Sequence, residues 1–182
     1  MISNGWARIT LGILATGFTM MGAISESQAT YVKRVFGSWE ALSGNVNGED
    51  TCVALSHPVD TRIYEDVRDV PYLAVSYNKE LTISISPGFE LSNSNPVTLT
   101  VNDTPRLLKN SRDFFAHTYN SIDDVRIIND MRLDRKFCKA VSYDDEEHVA
   151  IDYYSLEGFT DAIEYLRKNC RYRSKQHVKK PD

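Results

Sequence analysis

Leu81-Thr-Ile-Ser-Ile-Ser86 alternates apolar and polar residues without a break. Leu81, Ile83 and Ile85 face one way and Thr82, Ser84 and Ser86 the other, the pattern of a half-buried antiparallel strand. Val97-Thr-Leu-Thr-Val101 repeats the pattern, and Asn102-Asp103 turns the chain after it. Pro71 to Tyr77 reads as a strand with Leu73 and Val75 on one face. Thr51 to Ser56 is a shorter one carrying Cys52 and ended by Pro58. Tyr31 to Leu42 favours extended chain, with Tyr31, Val32, Val35, Phe36 and Trp39 as candidate core positions. Phe114 to Tyr119, Leu133 to Ser142 and His148 to Tyr154 complete the predicted strands, the last two joined at an acidic tip, Asp144-Asp-Glu-Glu147. Turn chemistry marks loops at Ser43–Asp50, Val59–Asp69, Pro87-Gly88 and Ser92–Pro96.

Two stretches change period. Ser121-Ile-Asp-Asp124 has the form of a capping box, and Val125, Ile128 and Met131 after it predict one apolar helix face. Near the end, Phe159, Ile163, Leu166 and Cys170 fall at i, i+4, i+7 and i+11 and share a face. Thr160 can cap this helix. Asp161 and Glu164 lie early in it and Arg167 and Lys168 late, matching the helix dipole. Many short strands and two short helices predict a mainly β fold, a β-sandwich with the C-terminal helix packed on the sheet.

The N-terminus follows neither period. Arg8 is the only charge before an apolar run from Ile9 to Met21, too short to span a bilayer, which takes about 20 residues. Ser27-Gln-Ala29 follows with small residues at the positions a signal peptidase reads. The expected organisation is a signal peptide over 1–29, a β-sandwich domain over 30–170 and a basic, disordered tail over 171–182. Signal removal leaves no transmembrane segment. Arg8 and Glu26 cancel, so the mature charge stays at −4, which argues against a nucleic-acid binder. The tail is the exception, an arm that could touch an anionic surface.

Candidate chemistry is sparse. Cys52, Cys138 and Cys170 fit no metal-ligand spacing. In an exported chain an odd count allows one internal bridge and leaves one thiol. His57, His117, His148 and His177 are scattered, and His148 beside the acidic tip is better read as a solvated hairpin end than as a metal site. Ser155 sits in Ser-Leu-Glu-Gly-Phe, without the Gly-x-Ser-x-Gly elbow of hydrolases, and suits turn chemistry. No cofactor is implied.

The segment Asp152-Tyr-Tyr-Ser-Leu-Glu-Gly-Phe159, the helix through Ala162 and the closing Cys170 resemble the C-terminal signature of the invasion-associated locus B family, exported proteins of Gram-negative bacteria. Phe36-Gly-Ser-Trp39, Cys52-Val-Ala-Leu-Ser-His-Pro58 and Pro71-Tyr-Leu-Ala-Val-Ser76, with the strand on to Pro87-Gly-Phe89, are similar to its earlier segments in the same order. The acidic Asp144–Glu147 and Cys138 depart from the family pattern. The resemblance implies an immunoglobulin-like β-sandwich, with Asp152, Tyr154, Ser155, Leu156, Gly158 and Phe159 as motif residues and no catalytic set. It implies an exported, non-enzymatic envelope or virulence-associated accessory protein, periplasmic, secreted or at the cell surface, with a protein partner in the envelope or on the host.

By position, Cys52–Cys170 is the favoured bridge, pairing of Cys138 with either remaining open. Cys138 is then a free thiol, a buried hydrophobe or, if exposed among Arg135, Lys136 and Lys139, a reactive group. The alternative function is an envelope hydrolase with a non-standard site near Ser155 and Asp152. A pocket with converging polar groups at that turn would favour it.

Overall fold

The computed structural model describes residues 30–46, 49–63, 68–111, 114–134 and 136–173. The expected signal peptide and most of the basic tail lie outside them. The chain forms strands β1 (Thr30–Phe36), β2 (Trp39–Val46), β3 (Glu49–Ser56), β4 (Asp60–Ile63), β5 (Tyr72–Asn78), β6 (Glu80–Ser86), β7 (Val97–Val101), β8 (Thr104–Asn110) and β9 (Ala116–His117). Helix α1 (Ser121–Leu133), strands β10 (Phe137–Tyr143) and β11 (Val149–Ser155) and helix α2 (Phe159–Arg173) follow.

The fold is mainly β. Its strands run in the order β1-β2-β3-β5-β6-β9-β8-β7-β10-β11-β4, one continuous antiparallel sheet rather than two separate ones. The two-residue β9 joins its halves, pairing Ala116 and His117 with β6 on one side and β8 on the other. The sheet curls, so that Trp39 of β2 donates its indole N–H to the Ser155 carbonyl at the end of β11, 2.9 Å away. Leu73, Ile83, Ile85, Leu99, Ile128 and Ile163 fill the interior, each essentially without exposure. Helix α2 packs on β1, β2, β3 and β5, and α1 on β6 and β7.

Alternation held where it was strict. Leu81, Ile83 and Ile85 are buried, as are Val97, Leu99 and Val101. Several expectations need correction. Tyr31, Val32 and Val35 are exposed because β1 is an edge strand, while Trp39 is completely buried. The Ser43–Asp50 loop shrinks, because β2 and β3 extend to Val46 and Glu49. Asp60–Ile63, read as loop, pairs with β11. Thr104–Asn110 is a strand although Pro105 and Leu107-Leu108 spoil its pattern. Asn102 and Asp103 both take left-handed backbone (φ 49° and 58°), the two-residue hairpin turn that returns the chain antiparallel to β7. Of Phe114–Tyr119 only β9 is strand, and Leu133 ends α1 instead of starting β10.

The start of α1 also differs. Its cap is Asn120, whose side-chain oxygen accepts from the N–H groups of Ile122 and Asp123, both at 3.0 Å. The buried stripe is Asp124, Ile127, Ile128 and Met131, while Val125 is 55 % exposed. A spacing of three falls short of the helical repeat of 3.6, so a run of threes drifts off the face. Asp124 holds its core position because its Oδ1 accepts the Ile83 N–H at 2.8 Å. Thr160 lies inside α2 rather than capping it. That helix opens on Gly158, with Phe159 N–H donating to the Leu156 carbonyl at 3.2 Å.

Candidate functional site

The Asp152–Phe159 segment forms the end of β11, a turn and the start of α2. Period two turns Ala150, Asp152 and Tyr154 inward, and all three are buried. A carboxylate there needs partners. Arg68 provides them with both arms: Nη1 donates to Asp152 Oδ2 at 2.9 Å and Nη2 to Oδ1 at 2.5 Å. Thr61 Oγ1 donates to the same Oδ1 at 2.6 Å. Arg68 also donates to the Pro87 carbonyl, 2.9 Å away. Its side chain is 7 % exposed and that of Asp152 1 %, so the pair is an internal clamp between the Arg68–Asp69 stretch, β4 and β11. The sequence pattern passes over Arg68, which lies in a polar run. The inward phase of Asp152 is the signal that a buried donor must meet it.

The turn that follows is seated by backbone contact. Gly158 is left-handed (φ 82°), and a Cβ on it would stand 1.9 Å from the Phe36 carbonyl oxygen. Gly37 (φ 55°) approaches from the other side, its hypothetical Cβ 2.6 Å from the Glu157 oxygen. The Ser38 N–H donates to that oxygen at 3.0 Å. Trp39 then tilts against Phe159, ring centroids 4.8 Å apart. Phe36-Gly-Ser-Trp39 and Ser155-Leu-Glu-Gly-Phe159, more than a hundred residues apart in the chain, form one joint.

Ser155 accepts the Glu157 N–H on its Oγ at 3.2 Å and is 8 % exposed. A hollow of about 560 Å³ does lie at the turn, lined by Arg132, Asp134, Leu156, Glu157, Gly158, Thr160 and Asp161. Neither Ser155 nor Asp152 lines it. The Ser155 hydroxyl is engaged in the turn and the Asp152 carboxylate in a buried ion pair.

Cys52 of β3 and Cys170 of α2 are bridged, Cα atoms 6.3 Å apart, which ties the end of the helix to the sheet. Cys138 is free and 1 % exposed. Burial pushes its thiol up to about 12, with the charge of Asp134 adding to the rise. A thiol lowered by basic neighbours requires exposure that this residue lacks. Tyr154 pairs opposite Cys138, and burial, together with the Asp152 charge, raises its phenol as well. Its hydroxyl has no hydrogen-bond partner among the described residues.

The acidic hairpin tip is ordered by its own side chains. Asp144 accepts the N–H groups of Glu146 and His148 at 2.9 Å each, and His148 Nδ1 lies 3.0 Å from its Oδ2. Desolvation pushes the Asp144 carboxyl up, but those donors and the His148 charge outweigh it and hold the group below its ordinary value. Among the described residues no cluster of three His, Cys, Asp or Glu side chains is placed to hold a metal ion. No helix there is long and apolar enough to cross a membrane.

Another surface hollow, about 850 Å³, lies elsewhere among the described residues. It opens between the β5–β6 turn, the outer side of α1 and α2. Tyr77, Leu81, Ile122 and Val125 form its apolar lining, and Lys79, Glu80, Ser121, Arg126 and Arg167 its polar one.

No protein-family profile matches this chain, and no curated protein matches it in sequence. Its fold does match a solved one. The chain is similar to the crystal structure of invasion associated protein B from Bartonella henselae, with a TM-score of 0.54 and 15 % sequence identity over 78 % of this chain and 98 % of that one.

Proposed function

We propose that this protein is an exported, non-enzymatic accessory protein of the Gram-negative envelope that works by binding another protein, in a role linked to host-cell invasion. The observation that carries the reading is the shared fold, which spans nearly the whole of a protein named for invasion. Three features support it. The N-terminal Ile9–Met21 run and Ser27-Gln-Ala29 have the form of a secretory signal. The Cys52–Cys170 bridge suits an oxidising compartment, the periplasm or beyond. The motif residues from Asp152 to Phe159 are engaged in an ion pair, a joint and a helix start, so function falls to the surface around them. An immunoglobulin-like sandwich, its two halves hinged at β9, belongs to the same reading.

The test is mass spectrometry of the protein from periplasm and culture medium, alkylated before and after reduction. A mature start near Thr30 and a Cys52–Cys170 peptide pair are expected. Intact N-termini with three free thiols would defeat the export reading. A deletion strain then tests the role: host-cell entry should fall and return with the wild-type gene, and unchanged entry would count against invasion.

A further inference from the structure

The groove at the β5–β6 turn combines two features that a solvated surface does not need. The first is apolar exposure on a helix. Ile122 is 62 % and Val125 55 % exposed, both on the side of α1 turned from the core stripe of Ile127, Ile128 and Met131. Together with Leu81 and Tyr77 they line a concave hollow rather than standing singly, a shape into which a partner's apolar side chains can pack.

The second feature is charge. Lys79, Arg126 and Arg167 ring this hollow against a single carboxylate, Glu80, in a chain whose net charge is −4. They come from three separate elements, so the fold has gathered them. Among the described residues the ion pair of Arg126 is a long, exposed contact of 3.5 Å to Asp123. Lys79 and Arg167 have no ion pair among the described residues. Three cations gathered at the rim of an apolar floor give a local positive field that favours an incoming anion.

We propose that this groove receives an acidic, amphipathic segment of a partner protein. Its apolar side chains pack on Ile122 and Val125, and its carboxylates meet Lys79, Arg126 and Arg167. This deepens, and rests on, the reading of the protein as a binding protein. The chain's own C-terminal segment is a poor occupant, because Lys175, Lys179 and Lys180 give it the same sign as the rim. A bilayer surface presents anions on a flat front, whereas these cations surround a hollow that takes side chains.

The test uses the oxidised mature protein and a library of random peptides displayed on phage. Recovered peptides should be enriched in Asp and Glu interleaved with Leu, Ile or Phe, and weaken with salt. Arg126→Glu/Arg167→Glu should lower their affinity at least about tenfold, the size of one lost charged contact. Ile122→Ser/Val125→Ser, at exposed sites, should do the same with the fold intact by circular dichroism. Recovery of neutral or basic peptides, or of none, overturns the proposal. So does binding that survives both variants, capture of phosphatidylglycerol vesicles that the peptides cannot displace, or self-association that the variants abolish. Those failures leave the signal cleavage and host-entry results untouched, so the two readings fail separately.

Discussion

Gly158 and Phe36 meet backbone to backbone, with a Cβ on the glycine destined to fall 1.9 Å from the Phe36 carbonyl oxygen. The joint around them fixes how the β1–β2 hairpin sits on the start of α2. Trp39, Ser38 and Phe159 complete it with an indole hydrogen bond, a backbone hydrogen bond and a ring contact. Gly158→Ala should therefore cost more than a loop substitution. The left-handed backbone alone costs about 1–2 kcal/mol, and displacement of Phe36 adds to it. Gly37→Ala, with a 2.6 Å approach, should cost less. Urea unfolding of the oxidised protein measures both; a Gly158→Ala midpoint equal to wild type would show that this contact does not hold the hairpin on α2.

Arg68 and Asp152 form an ion pair that water barely reaches. Arg68→Met leaves the carboxylate buried without its main partner and should cost about 3–5 kcal/mol. Arg68→Met/Asp152→Leu removes both charges and should regain much of that loss. A double-mutant cycle by denaturant titration reads the coupling. If the two single losses simply add in the double variant, the pair is not coupled as its geometry demands.

The bridge closes a sequence separation of 118 residues. Chain-entropy arguments assign such a loop about 5 kcal/mol, through the unfolded state. Cys52→Ser and Cys170→Ser should each lower thermal stability sharply, and Cys138→Ala only slightly. Native protein should show no thiol accessible to iodoacetamide, and one after unfolding. Rapid labelling of folded Cys138 would contradict its burial.

Cys138 also makes a pH prediction. Its folded value near 12 lies above the ordinary value of 9.0. A raised folded value means that the unfolded chain loses its proton first. Stability is therefore full below about pH 9 and falls as pH rises toward 12, by about 4 kcal/mol at most. Cys138→Ala should flatten that slope, as seen in urea midpoints across the alkaline range. A slope unchanged by the substitution would assign it to other groups.

Tyr154 carries a buried hydroxyl with no partner among the described residues. Tyr154→Phe keeps the ring and removes the unpaired group, so it should be neutral or stabilising by about 1 kcal/mol. A clear loss of stability would show that the hydroxyl has a partner, such as an internal water.

Strict period-two alternation was enough to place β6 and β7, and i, i+4, i+7 and i+11 spacing to place the packed face of α2, since both patterns report directly on which side of an element is buried. The motif residues were legible too, though not their work. Asp152 reads as a candidate acid until Arg68, 84 residues away, takes both its oxygens. Asp124 reads as a surface cap until its carboxylate is found on the Ile83 N–H. In both cases the deciding partner is distant in sequence, and local pattern carries no information about it.

The mainly β character, most strand and turn positions, the two helices and the cysteine count are legible in the residue order alone, because periodicity and turn chemistry act within a few residues. Three-dimensional packing makes β1 an exposed edge, pairs Asp60–Ile63 and Thr104–Asn110 as strands, and seals Cys138 in the core. It also brings Lys79, Arg126 and Arg167 around one apolar groove. Those outcomes depend on which surfaces the curled sheet brings together, and long-range packing sets that, not the order of neighbours along the chain.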